Sequence, residues 1–254
     1  MKSILITGGT GFIGSHTCLL LLEKGYEIFI IDSFINSSPK SIDKVLIILE
    51  KNNIFAKDRI HLFKGDLRIE DDIEKVFYKS LEIKKPIESV IHFAGLKSVS
   101  DSNKEPIEYW ESNVNGTLKL LKVMKKYNCK SIVFSSSATV YLPGKDPLIN
   151  ETNDLDPVNP YGNTKLAIEK ILSDLFKSES SSWRIICLRY FNPIGNHESG
   201  LIGECPLLEP TNIFPLILNV GSGKLQNLNI YGDDCFYDSK IYKVELGYFT
   251  KSYD

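Results

Sequence analysis

Ser3-Ile-Leu-Ile-Thr7-Gly8-Gly-Thr-Gly11-Phe-Ile-Gly14 sets a short apolar run directly against glycines at G-x-x-G-x-x-G spacing. The run has the length of a buried strand, and from residue 15 the apolar positions take up helical spacing. The glycines therefore fall in a strand-to-helix turn, where they permit a tight bend and let a pyrophosphate approach the helix amides. By itself the pattern is a weak signal, and its spacing departs from the G-x-G-x-x-G of many dehydrogenases. Its surroundings strengthen it. A second apolar run over 27–32 closes on Asp32, where a carboxylate can accept hydrogen bonds from an adenosine ribose and repel the extra phosphate of NADP. NAD is the favoured cofactor.

Outward from this turn, apolar runs and helical stretches alternate. Helices are expected over 15–24, 40–51, 71–80, 107–127 and 161–177, and strands over 4–7, 27–32, 60–63, 89–93, 131–135 and 183–188, the last read as a buried strand. This alternation predicts an α/β fold, a doubly wound parallel Rossmann-type sheet followed by the start of a smaller substrate-binding domain. After Tyr190 the rhythm breaks: Pro193, Gly195, Gly200, Gly203, Pro206, Pro210 and Pro215 punctuate the chain. A boundary is placed there, with a cofactor domain over 1–190 and a partial substrate-binding region over 191–254.

Composition narrows the function classes. A net charge of −2, with only short basic pairs such as Lys84-Lys85, gives no field for a polyanion, so nucleic acid is excluded as a partner. The cysteines at 18, 129, 187, 205 and 235 form no C-x-x-C and read as reduced thiols. The histidines at 16, 61, 92 and 197 lack metal-ligand spacing, and no metal is expected. No apolar run reaches the length of a membrane span and the N-terminal run is too short for a signal peptide, which points to a cytoplasmic protein without a membrane partner.

Two tyrosines stand four residues before a lysine. Tyr141 and Lys145 are separated by Leu-Pro-Gly, which interrupts a helical turn, whereas Tyr161 and Lys165 follow Pro160 at a helix start. On a helix that spacing puts ammonium and phenol on one face. A phenol titrates near 10, so a base at a substrate hydroxyl needs help, which the lysine cation together with an oxidised nicotinamide is expected to give. Ser137, at the end of the strand that begins at Ser131, reads by itself as a turn or cap residue, and it also stands where a hydroxyl can bond the same substrate oxygen.

The series ITGGTGFIGSHT, VIHFAGLKSV, NVNGT, FSSSATVY, NPYGNTK, LRYFNPIG and TNIFP resembles the UDP-galactose 4-epimerases, within the extended short-chain dehydrogenase/reductases, in order and over residues 1–232. A 4,6-dehydratase would usually place an acidic pair where Ala138 and Thr139 stand. The resemblance implies that Gly8, Gly11, Phe12, Ile13, Gly14, Asp32, Asn36, Ser37, Asp66 and Leu67 surround the adenosine and pyrophosphate of NAD. Phe93, Ala94, Gly95, Lys97, Ser112 and Tyr190 would lie toward the nicotinamide. It further implies Tyr161 as base, Lys165 as its electrostatic partner and ribose ligand, and Ser137 as the orienting hydroxyl. Lys97, Ser137, Tyr161, Asn192, Asn212, Asn229, Ile230 and Tyr231 would hold UDP-glucose or UDP-galactose. The implied reaction keeps NAD bound while hydride leaves sugar carbon 4 and returns to the other face, and a homodimer through the helices over 107–127 and 161–177 is implied as well.

The sequence departs from the family at Ser112, at Leu142 and at Asn163-Thr164. Beyond Asp234 the likeness is lost, and the family's Val-Arg-Asp-Tyr-Ile-His segment does not appear. A related UDP-sugar-modifying enzyme, or an inactive NAD-binding fragment without a complete substrate domain, stays open beside the epimerase reading.

Overall fold

A computed structural model of the chain describes residues 2–143, 148–178, 182–205 and 212–228. Six strands, β1 Ser3–Thr7, β2 Glu27–Asp32, β3 Ile60–Lys64, β4 Ile87–His92, β5 Ser131–Ser137 and β6 Arg184–Tyr190, form one sheet. Its order is β3-β2-β1-β4-β5-β6, every neighbouring pair parallel. Helices α1 Phe12–Glu23, α2 Lys40–Lys51 and α3 Glu70–Glu82 make the first crossovers. α4 Val99–Lys104, α5 Pro106–Tyr109 and α6 Gly116–Lys126 follow β4, and α7 Pro160–Ser178 precedes β6. This is the doubly wound Rossmann-type arrangement that the alternating pattern predicted.

Side chains alternate along each strand, so every buried strand feeds two cores. Ile4, Ile6, Ile28 and Ile30 pack with Leu19 and Leu22 of α1 and Val45 and Leu49 of α2. Leu5, Phe29, Ile31, Val90 and Phe134 face the other way, onto Val76 and Phe77 of α3, Leu120 and Met124 of α6, and Ile168 and Leu172 of α7. In α2 the buried positions are 42, 45, 48 and 49, the stripe a helix needs to cover a sheet.

Two expectations are corrected. The strand after Trp183 forms, but it lies at the sheet edge and is not buried: Ile186 is 55% exposed and Leu188 40%. An Ile/Leu-rich run reports a strand and leaves open what covers it. The helix expected over 107–127 is continuous in path, yet Trp110–Asn115 widens into a π-helical turn between α5 and α6. Such turns often accompany functional sites, and this one carries Asn113 inside.

The chain divides into two compact units, 1–211 and 212–254. The boundary expected near 190 falls inside the first, because Ile202 is buried in the core above α1 and α2 and Leu201 packs beside it. In the second unit α8 spans Ile213–Gly221, starting at Asn212 in extended conformation. No helix among the described residues is long and apolar enough to cross a membrane.

Candidate active site at the carboxyl edge of the sheet

Because all six strands run the same way, their carboxyl ends share one edge, and β1 and β4 mark the point where successive connections turn to opposite sides. Gly8 leaves β1 with φ +68, a conformation that favours glycine, and a Cβ there would stand 2.8 Å from the Ala94 nitrogen. At Gly14 a Cβ would collide with the Gly8 carbonyl oxygen. Gly11 caps α1 without a side-chain hydrogen bond, so the first-turn amides of Phe12, Ile13 and Gly14 meet no competing cap. The result is a cradle, a tight turn that leaves the first amides of a helix without a capping side chain, the arrangement that suits a phosphate.

Asp32 ends β2 and is buried. Its Oδ2 accepts from the Thr10 amide at 3.1 Å and the Thr10 hydroxyl at 2.6 Å. Its Oδ1 accepts from the Phe34 amide at 3.0 Å and the Ser37 hydroxyl at 2.9 Å. The carboxylate is thereby fixed beside the cradle, while Asn36 stands exposed in the loop that follows. Past β3, Arg68 pairs with Asp66 at 2.7 Å and holds its carboxyl below the usual carboxylate range, while Leu67 is buried in the core.

On the other side of the switch point, α7 begins at Pro160 and its first turns bring Tyr161 and Lys165 together with the end of β5. The Lys165 ammonium is buried, donates to the Ser135 carbonyl at 2.9 Å, and lies 4.9 Å from the Phe134 ring centroid and 5.7 Å from that of Tyr161. Burial alone holds it down to about 8. Ser137 accepts from the Thr139 amide at 3.2 Å and the Thr139 hydroxyl at 2.9 Å, so its own proton is left for the Tyr161 phenol. That bond favours the phenolate, but burial is the larger influence and, with Tyr109 nearby, raises the Tyr161 pKa. The expected lowering by the lysine is therefore not achieved by the protein's own groups: a low-dielectric site penalises the anion more than the serine relieves it.

The loop after β4 carries Phe93, Ala94, Gly95 and Lys97 toward the same edge. Gly95 has φ +156, and a Cβ on it would lie 3.0 Å from Asn113 Oδ1. Asn113 was missed in the sequence although NVNGT contains it. Its Oδ1 accepts from the Leu96 amide at 2.8 Å, and its Nδ2 donates to the Leu96 carbonyl at 3.0 Å and to Thr164 Oγ1 at 3.1 Å. It thus ties the loop to the start of α7. Ser112, beside it, is half-buried in the π-helical turn.

Glu169 was also missed, although it extends the stripe of Tyr161 and Lys165 by one more i+4 step. Arg189 of β6 grips it with Nε at 3.0 Å and Nη2 at 2.7 Å, donates Nη1 to the Tyr141 hydroxyl at 3.0 Å, and Ser136 donates to Oε1 at 2.5 Å. Tyr190 follows at the end of β6, its phenol raised by burial, and Asn192 is exposed just after it. Lys97 reaches Glu204 at 3.1 Å. Asn212 starts α8 in the second unit; Asn229, Ile230 and Tyr231, like Lys145, lie outside the described residues.

Comparison with known proteins places this geometry among relatives. Residues 4–234 match the NAD dependent epimerase/dehydratase family. The chain is 47% identical over 234 residues to a bifunctional UDP-glucose 4-epimerase and UDP-xylose 4-epimerase of Pisum sativum, covering 92% of this chain and 64% of that protein. It is 46% identical over 235 residues to a UDP-glucose 4-epimerase of Neisseria meningitidis serogroup B, covering 92% and 66%. Among solved structures, the UDP-glucose 4-epimerase of Bifidobacterium longum in complex with NAD+ and UDP superposes with a TM-score of 0.84 at 44% identity, covering 93% of this chain and 67% of that one. The chain therefore spans a little under two thirds to about two thirds of the length of these relatives.

Proposed function

The chain belongs to the NAD dependent epimerase/dehydratase family, and on that premise we propose that it acts as a UDP-glucose 4-epimerase, with NAD along the carboxyl edge of the sheet and UDP-glucose or UDP-galactose beside Tyr161. The observation that carries the reading is the convergence of the glycine cradle, the Asp32 carboxylate, and the Ser137, Tyr161 and Lys165 side chains on that one edge. The residues fit NAD on two counts. A Cβ at Gly8 or Gly14 would strike the turn's own backbone, so these glycines let the turn close tightly against the uncapped start of α1, where a pyrophosphate would meet helix amides, and Asp32 offers a carboxylate where a ribose diol would lie and a 2′-phosphate would be repelled.

When bound, the oxidised nicotinamide supplies a hydride acceptor and a positive charge. The chain's residues do the rest. Tyr161 Oη removes the proton from the sugar's 4-hydroxyl and gives it back once the other face of carbon 4 is presented. The Ser137 proton, donated to the phenol oxygen, orients that exchange. Lys165 holds a cation beside the phenol and carries further N–H donors for a ribose hydroxyl. Support for this division of labour is positional: the lysine is buried against β5, so its charge is directed at the site and not at solvent.

The same reading limits what residues 1–254 alone can do. A UDP-sugar needs its diphosphate gripped, a task suited to arginine. The chain's arginines are 59, 68, 184 and 189, and Arg189 is engaged by Glu169 and Tyr141. A polypeptide of these residues is expected to bind NAD but to epimerise only in traces. A homodimer fits the exposed apolar Ile107, Trp110 and Phe176 on the helices over 107–127 and 161–177. The test is replacement of Tyr161 by Phe in an epimerising form of the protein that carries this chain: UDP-galactose conversion should fall about a hundredfold or more while NAD stays bound. Conversion near the unaltered rate would require another base.

A further inference from the structure

A buried polar chain that moves no proton of the sugar runs beneath the proposed site. The Ala94 amide donates to Thr7 Oγ1 at 3.1 Å, Thr7 Oγ1 lies 2.7 Å from His92 Nδ1, His92 Nε2 lies 2.9 Å from Thr117 Oγ1, and Thr117 donates to the Asn113 carbonyl at 2.6 Å. Thr7, His92, Thr117 and Asn113 are all buried. Proton positions follow from counting. A carbonyl only accepts, so Thr117 uses its single proton on Asn113 and must accept from Nε2–H. Nδ1 is then the acceptor, Thr7 gives it the hydroxyl proton, and Thr7 in turn accepts from Ala94. Reversing the tautomer would make Thr117 turn its proton from the Asn113 carbonyl to Nε2, and Thr7, then accepting from both Nδ1–H and Ala94, would keep a hydroxyl proton with no acceptor in this chain of contacts, an unpaired group in a dry interior.

We infer that His92 is a positioning residue: a neutral imidazole locked as the Nε2–H tautomer, whose one-way hydrogen-bond chain sets the loop after β4 against the π-helical turn and so against the start of α7. This rests on the reading of the 93–97 loop as a cofactor contact. The geometry explains why an imidazole suits the position. It presents one acceptor and one donor across a rigid ring, and here these link the end of β1 to Thr117 of α6, through which Asn113 is held. Asn113 then fixes Leu96 through both backbone groups and reaches Thr164, whose hydroxyl donates to the Tyr161 carbonyl at 2.7 Å. Burial keeps the ring uncharged, pushing it down to about 3 with the Lys165 charge adding to the effect. A charged ring would need to donate at both nitrogens and would break the Thr7 link.

The experiment has two arms, both on the 254-residue chain. Nitrogen-15 spectra of the His92 ring at neutral pH should show Nδ1 unprotonated and Nε2 protonated. In the second arm, Thr117→Val, which keeps the shape and removes the hydroxyl, should weaken NAD binding about tenfold, and Thr117→Ser should restore it. A protonated Nδ1, or NAD affinity in Thr117→Val equal to that of the unaltered chain, overturns the inference. The spectrum is read on the unaltered chain, so it decides the relay even where Thr117→Val fails to fold. The predicted tautomer in a chain that binds no NAD would overturn the cofactor reading, and the positioning role with it, while the hydrogen-bond order stood.

Discussion

β2, Glu-Ile-Phe-Ile-Ile-Asp, and β6, Arg-Ile-Ile-Cys-Leu-Arg-Tyr, are nearly interchangeable as sequence patterns, each a β-branched and apolar run flanked by charge. In the molecule they part company. All six residues of β2 are buried, whereas Ile186 and Leu188 on one face of β6 stand in solvent. β2 lies between two other strands with α2 and α3 over it, and β6 closes the sheet at an edge. The difference teaches that the two halves of the carboxyl edge are finished to different degrees. Around β1 and β2 the Asp32 carboxylate is already fixed by four hydrogen bonds, while β6 offers Tyr190 and Asn192 from a strand with an open apolar face.

The largest effect that separates the two strands is expected from truncation inside β2. Ile30→Ala should cost about 2–5 kcal/mol in urea unfolding, since it leaves a cavity between the sheet and α1. A cost under about 1 kcal/mol would mean that this half is as loosely packed as the other.

The site between the strands should behave in the opposite sense. Lys165 is held down to about 8 from 10.5 by burial, so the unfolded chain binds that proton more tightly than the folded one. Below about pH 8 the penalty on folding is complete, and it fades as pH rises from about 8 toward 10.5. Lys165→Met should therefore raise stability at pH 7 by roughly 2 kcal/mol, less the lost bond to Ser135, with a gain that shrinks across that window and with NAD binding weakened. Loss of stability at pH 7, or a gain independent of pH, would remove the claim that this cation is held at a cost for function.

The smallest effect is predicted on β6. Ile186→Ser should change stability by no more than about 0.5 kcal/mol, as for other exposed positions. A cost near that of Ile30→Ala would show that this face is covered in solution.

How far the sequence discloses such differences depends on the kind of signal. Strand and helix order, the glycine turn, Asp32 at the end of β2, and the pairing of Tyr161 with Lys165 were all legible, because each is written in local spacing: period two, period 3.6, or a strand end. The open face of β6 was not, since an Ile-Ile-Cys-Leu run is the same whether a helix covers it or not. Nor were the π-helical turn at Trp110–Asn115, the Glu169–Arg189 grip and the His92 chain. These depend on which polar groups meet across the fold, and Asn113 lies far in sequence from both Leu96 and Thr164, its partners. The raised phenol of Tyr161 belongs to the same class: the spacing to Lys165 is local, whereas the burial that outweighs it is a property of packing.

The account stands most directly on one titration. The 254-residue chain, unaltered and as Asp32→Ala, is titrated with NAD and with NADP by calorimetry. The unaltered chain should bind NAD at least about tenfold more tightly than NADP, and the substitution should weaken NAD and reduce or abolish that preference, because the carboxylate at the end of β2 both holds the ribose and repels the 2′-phosphate. Binding of neither cofactor, or a preference for NAD that survives the loss of Asp32 undiminished, would contradict it.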